Sequence, residues 1–408
     1  MERIIEEDIV IVGAGIAGLT TSLGLHRLGI RSLVLESSDN LRATGFVLTL
    51  WENAWKALDA VGVGDILRHQ HIQFHGLVTT TLITGKQTST TYFKDNTRKN
   101  GSHEVRCVRR HIILEALAKE LPSGTIKYMS KVVAIQESGF SKILHLADGA
   151  RIKTKVLIGC DGVNSMVAKW LGFKEASPIG RYTTRGYVEL KNTHDLEPML
   201  MQYFGKGFRA GVIPCDDKGV YWYFSWTSII EDYQKDLAQD PAKLKQYVLN
   251  KLEKMSSYVR SFIENTELDA FHFAPLRHRH PWELIMGNIS KGNVCVVGDA
   301  LHPMAPDLGQ GGCCALEDGV VLAKFLAEAF SKNPKEGEEE YKIIEESLKK
   351  YAKERRWRCI DLITRSYIMG SIQQSGSKLV NFCRDQILTK FLVDQTLKKS
   401  DFDCGQLK

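Results

Sequence analysis

The sequence predicts an α/β fold in which a parallel sheet carries an inserted, mostly antiparallel sheet and is followed by C-terminal helices. Three apolar runs, beginning at Ile9, Val156 and Val294, each end in glycine. Because their apolar residues are continuous rather than alternating, they predict buried parallel strands. Residues 76–100 and 179–285 are richer in aromatic residues and threonine with more alternation, which favours antiparallel strands.

The predicted organisation is discontinuous, because the antiparallel segments interrupt the parallel-sheet unit. The C-terminal part is predicted to be helical, since Tyr341, Ile344, Leu348 and Tyr351 follow helical spacing. The predicted units are a first domain of residues 1–75, 101–178 and 286–330, an inserted domain of residues 76–100 and 179–285, and a helical region of residues 331–408.

Composition argues against several classes of protein. The 408 residues include 54 basic and 48 acidic ones, a net charge of +6, and no basic patch that would indicate a nucleic-acid partner. The nine cysteines show no CxxC pair and no zinc-finger spacing, which favours reduced thiols. We therefore expect a cytoplasmic protein, with an organelle as the alternative if a leading segment has been trimmed.

Metal sites and membrane spans are not expected either. His278 and His280 form a candidate metal pair, but the sequence offers no evident third ligand, and a solvated strand or loop is the favoured interpretation. No run of 18 apolar residues is present, so no transmembrane helix is expected.

A GxGxxG sequence follows the first buried strand, with its glycines at Gly13, Gly15 and Gly18. An apolar helix and a second strand ending at Glu36 complete a Rossmann-like βαβ unit. Gly13 permits a tight turn, Gly15 lets a pyrophosphate approach the backbone, and Gly18 lets the helix pack on the strand. The helix N-terminus favours the anion, and Glu36 is expected to accept from ribose hydroxyls and to disfavour the 2′-phosphate of NADP.

A second glycine-rich segment follows the third buried strand. Asp299 is placed to accept from a polyol hydroxyl, such as the ribityl chain of a flavin. Gly309, Gly311 and Gly312 leave the backbone bare beside a planar ligand and begin a helix whose amides favour developing negative charge. The two segments together favour FAD, with its ADP half on the first and its redox half on the second.

A third segment, Asp161 to Ser165, is by itself a strand end leading into a helix, with Asn164 or Ser165 as the cap. Arg42 and Arg110 are isolated basic residues, which taken singly are more typical of solvated surface charges. Neither feature indicates a site without the other segments.

In this order and spacing, the three segments resemble the class A flavoprotein monooxygenases, the family of p-hydroxybenzoate, salicylate and kynurenine hydroxylases. The sequence from Gly309 to Gly312, GQGG followed by cysteine, is most similar to that of the plant branch around zeaxanthin epoxidase and monooxygenase 1. The resemblance spans about residues 8–330 and implies a p-hydroxybenzoate hydroxylase-like fold, with the first domain binding FAD. It also implies that NAD(P)H and O₂ are used to hydroxylate or epoxidise a small aromatic or isoprenoid substrate through a flavin C4a-hydroperoxide.

The resemblance assigns roles to single residues. Arg42 and Arg110 match two arginines that contact FAD, and the Asp161–Gly162 pair matches a motif linked to both FAD and NAD(P)H. Pro306 matches the proline whose carbonyl faces the substrate. The implied cofactor contacts are Gly13, Gly15, Ile16, Ala17, Gly18, Glu36, Arg42, Arg110, Asp161, Gly162, Asp299, Pro306, Gly309, Gly311, Gly312 and Cys313.

Two positions depart from the family pattern. Ala168 stands where the motif that begins with the Asp161–Gly162 pair usually has arginine. Binding of the pyridine nucleotide is therefore expected to differ, or to depend on the neighbouring Lys169. Cys313 stands where the hydroxylases often have asparagine, and its contact with the flavin is expected through the backbone.

The substrate is expected beneath the inserted sheet. Because the family chemistry is centred on the flavin, no side-chain nucleophile is assigned. Pro306, His302 and Arg185 are candidates near the reacting atoms, with a structural role favoured for His302. The candidate substrate contacts, of which neighbours on a strand point to opposite faces, are Arg185, Tyr203, Arg209, Tyr221, Trp222 and Phe224.

The residues that line the substrate site indicate which kind of substrate it binds. An aromatic stripe is more often core than binding wall. An arginine in the pocket would suit a carboxylate or phenolate, whereas an apolar wall would favour an apolar aromatic or an alkene.

Three alternatives stay open on sequence grounds. A flavin oxidase shares the N-terminal unit but not the Gly298–Gly312 segment, and a flavin halogenase would need two tryptophans that are missing before Ile213. A non-catalytic binding protein on the same fold is the third. The segment Lys378–Lys398 mixes apolar and basic residues and is expected to cover the substrate domain or a partner, with a membrane surface as the second interpretation.

Overall fold

A computed structural model describes residues 4–41, 47–94, 103–228 and 231–407, without the side chains of residues 231–233. In chain order, its strands are β1 (Ile5–Val12), β2 (Leu33–Leu35), β3 (Val47–Leu50), β4 (Gly76–Thr81), β5 (Lys86–Tyr92), β6 (Arg106–Arg109), β7 (Ile126–Lys127), β8 (Val132–Ser138), β9 (Ser141–Leu146), β10 (Arg151–Gly159), β11 (Ser177–Glu189), β12 (Met199–Phe204), β13 (Phe208–Pro214), β14 (Gly219–Thr227), β15 (His272–His278), β16 (Ser290–Lys291) and β17 (Val294–Val296).

The α-helices surround and connect these strands. In chain order they are α1 (Ile16–Arg27), α2 (Glu52–Ala60), α3 (Gly64–Gln70), α4 (Arg110–Lys119), α5 (Met166–Trp170), α6 (Glu231–Gln239), α7 (Pro241–Lys251), α8 (Ser257–Glu264), α9 (Pro281–Met286), α10 (Gly311–Phe330), α11 (Glu338–Gln373), α12 (Lys378–Cys383) and α13 (Thr389–Lys399). Short 3₁₀ turns lie at 268–270, 298–300 and 306–308, and a π turn at Arg384–Leu388 joins α12 to α13.

The first sheet contains the three glycine-ended strands as neighbours. Its order is β16-β17-β10-β1-β2-β7, with β9 and then β8 continuing from β10. The pairs β1–β10 and β10–β17 are parallel, and their register aligns Val12 with Gly159 and Gly159 with Val296. All three strands therefore end at one edge of the sheet, which is the edge where ligands bind in open α/β sheets.

Helices α1 and α10, which begin at this edge, pack directly on each other. A Cβ at Gly24 would lie 2.8 Å from the Cβ of Ala323, and one at Gly319 would lie 2.9 Å from the Cβ of Thr20. Glycine at these two positions allows the close approach, so the two helix N-termini are held side by side.

The second sheet is the predicted insertion. Its order is β15-β11-β14-β13-β12-β4-β5, and all neighbouring pairs are antiparallel except β12 with β4. These strands lie within residues 76–92 and 177–278. On one face they bury Trp222, Phe224 and Trp226 in a second core together with α7 and α8. The predicted fold class is confirmed, and the exact domain boundaries stay a prediction.

The C-terminal region is helical as predicted. The 36-residue helix α11 buries Ile344, Leu348 and Tyr351 against the first sheet and α10. None of the helices in the described ranges combines the length and hydropathy that crossing a membrane requires.

The expectation that His278 is solvated is wrong. The side chain lies at the end of β15, and the residue is 6% exposed. Its ring contacts those of His280 and Tyr367, with centroids 4.7 and 5.1 Å away. Helix α11 supplies Tyr367 and covers this strand end, a long-range contact that local sequence does not reveal.

Candidate FAD-binding active site

The turn between β1 and α1 is packed too tightly for side chains at two of its glycines. Gly13 has a φ of +104°, and a Cβ there would lie 2.5 Å from the carbonyl oxygen of Cys160. A Cβ at Gly18 would overlap the carbonyl oxygen of Gly13. The predicted roles of these glycines in the turn and in helix–strand packing match this geometry.

Gly15 differs from its two neighbours in the motif. It caps α1 with ordinary extended angles, φ −80° and ψ −176°. A Cβ there would meet nothing closer than Arg110 Nη2, at 3.9 Å. Gly15, Ile16 and Ala17 line a cavity. The fold therefore has room for a side chain at Gly15, and that room lies where a pyrophosphate would reach the free amides of α1.

Glu36 lies at the end of β2 beside this turn and is 7% exposed. Its carboxylate accepts from the backbone amides of Ala14 and Ser38, each at 2.9 Å. Burial alone would raise the pKa of Glu36, but these hydrogen bonds outweigh it and lower the pKa. A charged carboxylate is thus held at the place predicted for the adenosine ribose.

The second glycine-rich segment forms the other side of the same cavity. Asp299 is exposed and lines the cavity, in the 3₁₀ turn after β17. Pro306 and Gly309, whose φ is +63°, form the next turn. Helix α10 then begins at Gly311, so its unbonded N-terminal amides lie at the cavity.

The glycines that begin α10 leave their surroundings open. A Cβ at Gly311 would meet nothing closer than Met304 Cγ, at 3.8 Å. One at Gly312 would be tighter, 3.3 Å from Leu48 Cδ1. The Cys313 side chain is buried and turned toward the carbonyl oxygens of Thr49 and Gly309, at 3.7 and 3.6 Å. The Cys313 side chain is therefore engaged within the protein, and a backbone contact of Cys313 with the flavin stays a prediction.

A cavity of about 490 Å³ connects the two helix N-termini with the second sheet, within the usual range for ligand sites. Arg110 and Gly162 also line it. The Nε1 of Trp51 and the hydroxyl of Thr79, both on its wall, have no hydrogen-bond partner among the described residues. Two helix N-termini, the Asp299 carboxylate and these buried polar atoms line the cavity, and the Glu36 carboxylate lies beside the turn that leads into α1. This set of groups fits FAD.

Two of the predicted cofactor residues are not seen to face the cavity. Arg42 lies outside the described residues. The Asp161 carboxylate caps α5, accepting from the amide of Met166 at 2.7 Å and from the Ser165 hydroxyl. Ser165 in turn accepts from the amide of Ala168 at 2.8 Å, which confirms the predicted cap. A direct contact of Asp161 with a cofactor stays a prediction, as does a role for the exposed Lys169.

The predicted substrate residues divide between the two faces of the second sheet. Arg185, Arg209 and Tyr221 line the cavity. The predictions for Tyr203, Trp222 and Phe224 are wrong, because none of the three lines the cavity. Trp222 and Phe224 lie in the second core on the opposite face, and the partly buried Tyr203 packs against that core. Trp222 is fully buried, and its Nε1 donates to the hydroxyl of Thr266 at 2.8 Å.

The strand alternation contained the signal that would have separated these residues. Neighbours on a strand face opposite sides, so Tyr221 belongs with Tyr223 and Trp222 with Phe224. Tyr223 and Gln202 line the cavity and were missed. Sequence alone does not say which of the two sets faces the ligand, since both are aromatic.

Arg209 lines the cavity with its charge already compensated. Its guanidinium lies 3.2 Å from the Asp307 carboxylate, to which Arg181 also donates at 2.9 Å. Gln373 of α11 accepts from Arg209 at 2.8 Å. Arg209 therefore ties the Pro306–Leu308 turn to the sheet, and the predicted recognition of a substrate carboxylate by Arg209 is not favoured.

His302 lies behind α10, away from the cavity wall, in a fully buried cluster. Its Nε2 lies 2.6 Å from the Asp318 carboxylate. Burial lowers the pKa of His302, but the adjacent Cys314 and Asp318 outweigh burial and raise it. The imidazole supports α10, which agrees with the structural role favoured from the sequence.

The same cluster has donor atoms that could hold a metal. His302, Cys314, Asp318 and Cys359 bring their ligand atoms within 4.8 Å of one another. However, Arg355 donates to Asp318 at 2.6 Å and lies 3.2 Å from the Cys314 sulfur. The guanidinium supplies the positive charge that these groups require, so the cluster is a buried ion network rather than a metal site.

Comparison with known proteins decides between the interpretations of this cavity. The sequence matches the family model described as FAD binding domain over residues 6–361. The chain belongs to this family. It is 49% identical to "Monooxygenase 2" of Arabidopsis thaliana over 100% of both chains. It is 34% identical to "Monooxygenase 1" of the same plant, over 98% of this chain and 100% of the other.

Among solved structures, Klebsiella pneumoniae HpxO complexed with FAD and uric acid matches with a TM-score of 0.82 at 20% identity, covering 97% of this chain and 96% of that one. This likeness supports the fold. The family match and the named relatives show that the chain is an FAD-dependent monooxygenase, as the resemblance implied. They also favour this interpretation over the oxidase and the non-catalytic binder.

Proposed function

We propose that this monooxygenase uses NAD(P)H and O₂ to hydroxylate a small aromatic substrate that carries an acidic or hydrogen-bonding group. The observation that carries the proposal is the wall of the cavity on the second sheet. There Arg185 lies beside the Tyr221 hydroxyl, and both line the cavity that extends to the N-terminus of α10.

The chain's own residues would hold the cofactor along this cavity. The amides after Gly15 would bind the pyrophosphate, Glu36 the adenosine ribose, and Asp299 the ribityl hydroxyls. The N-terminus of α10 would favour negative charge on the adjacent ring edge. When bound, FAD supplies the activation of O₂ and the transfer of one oxygen atom.

Arg185 gives the substrate wall a fixed positive charge. Burial lowers its pKa, the Tyr221 hydroxyl opposes this, and the nearby Arg110 lowers the pKa further. A guanidinium stays protonated in proteins and suits planar, bidentate pairing with a carboxylate. The proposed roles of Arg185 and Tyr221 are to bind and orient an acidic group on the substrate.

The remaining wall is mostly apolar. Leu77, Leu200 and Ile213 come from the second sheet, and Leu392 and Val393 come from α13. Such side chains exclude water and position a ring, as the oxygen transfer requires. The same apolar residues favour epoxidation of an isoprenoid-type alkene as the second candidate.

The experiment compares substrate classes on the purified, flavin-loaded protein. NAD(P)H oxidation and O₂ consumption would be measured with aromatic acids, phenols and isoprenoid alkenes, together with product mass. We expect the mass of one oxygen atom to be added to an aromatic acid or phenol, coupled to NAD(P)H use. Flavin-loaded protein that is inert to NAD(P)H with every aromatic compound would contradict the proposal, and coupled turnover of alkenes alone would establish the second candidate.

Arg185→Gln tests the role of the cation. Loss of a charged hydrogen bond should raise KM for an acidic substrate roughly 10- to 100-fold, with little effect on a neutral analogue. Arg277→Gln is the matched control, because Arg277 is exposed on the neighbouring strand β15. Equal effects of Arg185→Gln on acidic and neutral substrates would show that Arg185 does not bind the acidic group.

We also infer that the protein works in a reducing compartment such as the cytoplasm. All nine cysteines are free thiols, and eight of them are buried. Such usage is typical of proteins that meet no oxidising environment. Detection of the protein in a secreted fraction would contradict this inference.

A further inference from the structure

The C-terminal helical segment from Lys378 to Lys399 has an unusually apolar outer face. Helix α12, the π turn and α13 follow one another without a break. Four large apolar side chains on this segment are more than half exposed: Leu379 (71%), Phe382 (62%), Ile387 (68%) and Phe391 (54%). Single exposed apolar residues are common, but such a series on one element marks an interaction surface. We call these four residues the apolar stripe.

The π turn brings the apolar stripe onto one side of the segment. At roughly 100° per residue in an uninterrupted α-helix, Ile387 and Phe391 would lie about 80° and 120° around the axis from Leu379. The extra residue accommodated by the π turn takes roughly 100° off both angles. Both side chains then align with Leu379 and Phe382. Single π turns occur often at functional sites, and here the turn creates a continuous face.

The opposite side of the segment is bound to the protein. Thr389, Leu392 and Val393 line the cavity. The buried Arg384 donates to the carbonyl oxygens of Gln373 and Gly205, at 2.9 and 3.2 Å. The inner side of the segment is therefore bound to the rest of the protein. The apolar stripe lies on its other side, which faces solvent.

The charges on the outer side are positive. Lys378, Lys390 and Lys398 are exposed. The two acidic residues of the segment, Asp385 and Asp394, are half-buried, and Asp385 accepts from the Thr81 hydroxyl at 2.7 Å. The outer side of the described segment therefore combines an apolar face with exposed lysines and has no exposed acidic residue. Such a face complements a partner that has an apolar interior and an anionic surface.

We propose that the apolar stripe and its lysines bind the surface of a membrane that contains anionic lipids. An amphipathic helix of this kind lies in the interface, with its apolar side chains at the acyl boundary and its lysines at the headgroups. The anchored inner side would hold the monooxygenase against the bilayer through α13, which also forms part of the cavity wall. This peripheral contact needs no membrane-spanning helix.

The test uses the flavin-loaded full chain and vesicles of phosphatidylcholine that contain phosphatidylserine at about one quarter of the lipid, separated by flotation. We expect binding at low salt that falls at least about fivefold when the vesicles are pure phosphatidylcholine, or when salt shortens the Debye length to roughly 4 Å. The triple variant Phe382→Gln, Ile387→Gln, Phe391→Gln should lower the partition coefficient at least roughly 100-fold. Absence of wild-type binding to the anionic vesicles would overturn the proposal.

The matched control alters a second exposed apolar group. Trp282, Ile285 and Met286 on α9 are 53%, 53% and 78% exposed. The variant Trp282→Gln, Ile285→Gln, Met286→Gln should bind vesicles within about twofold of wild type. If both triple variants weaken vesicle binding equally, general hydrophobicity rather than the apolar stripe is responsible, and the proposal fails.

Two further measurements cover the remaining outcomes. If the stripe variant does not fold, Lys378→Gln with Lys390→Gln replaces it, and vesicle binding that is unchanged by this pair would overturn the proposal.

The oligomeric state is tested separately, by measuring the molecular mass of the wild type and of the stripe variant in solution. A dimer that the stripe variant converts to monomer, with no vesicle binding by wild type, would assign the face to a second copy of the chain instead.

Discussion

Helices α1 and α10 both direct an N-terminus at the same cavity, but the protein holds them in place by different means. At α1 the backbone itself is in contact, since side chains at Gly13 and Gly18 would clash with carbonyl oxygens. At the start of α10, Gly311 and Gly312 have more room, and a buried ion network contributes to holding this helix. Arg355 of α11 donates to Glu317 and Asp318 on α10, at 2.6 Å each.

This difference separates glycines that the fold requires from glycines that the ligand requires. Gly13 and Gly18 are needed for packing whether or not a cofactor is bound. Gly15 and Gly311 have open space around them and face the cavity. The glycines of one motif therefore serve two different functions: some allow close packing within the protein, and others leave space for the ligand.

The largest expected effect is on the ion network that holds α10. Arg355→Met would leave two carboxylates buried without their shared partner, which typically costs about 3–5 kcal/mol. The free energy of unfolding would be measured by denaturant titration. Arg365→Met is the matched control on the same helix, because Arg365 forms a partly exposed pair with Asp361 that is worth less than about 1 kcal/mol. Equal stability of the two variants would break the claim that α10 is anchored by charge.

Gly18→Ala tests the anchoring of α1 by contact. Helix propensity alone would make alanine up to about 1 kcal/mol better than glycine. We nevertheless expect a loss of about 2–3 kcal/mol in the free energy of unfolding, from overpacking against the Gly13 carbonyl. Gly376→Ala is the control, since a Cβ there would meet nothing within 4 Å. A stabilised Gly18→Ala would show that the helix can move away from β1.

Gly15→Ala should affect the ligand more than the fold. Its backbone angles suit alanine, so we expect the free energy of unfolding of the apoprotein to change by less than about 1 kcal/mol. The added methyl group would lie where the pyrophosphate approaches, so FAD affinity should fall roughly 10- to 100-fold, or about 1.4–2.8 kcal/mol. Fluorescence titration of the apoprotein with FAD measures this. An unchanged affinity would show that FAD does not require glycine at position 15.

The first sheet and the cofactor segments were predictable because their signals are local. A buried strand, a glycine turn and the start of a helix follow one another directly around Gly13–Gly18, and again from Val294 to Gly312. The residues that a bound dinucleotide requires are therefore neighbours in the sequence. The cap of α5 by Ser165 is local in the same way.

Features that depend on distant parts of the chain were not predictable. Arg355 completes the network around Asp318 from 37 residues away, and Arg209 is paired with Asp307 from 98 residues away. The choice between Tyr221 and Trp222 as cavity residue depends on which face of the sheet α7 and α8 cover. The π turn that aligns the apolar stripe likewise has no evident sequence signal.

One FAD is expected to bridge the two helix N-termini, with Asp299 on its ribityl chain. Asp299→Ala tests it through the flavin content of the purified protein, measured by absorbance, with circular dichroism and Tm of the apoprotein as checks on folding. We predict that flavin is lost during purification while the apoprotein keeps the wild-type apo Tm, and that Asp269→Ala, at an exposed aspartate outside the cavity, keeps its flavin. Full flavin occupancy in Asp299→Ala would contradict the claim.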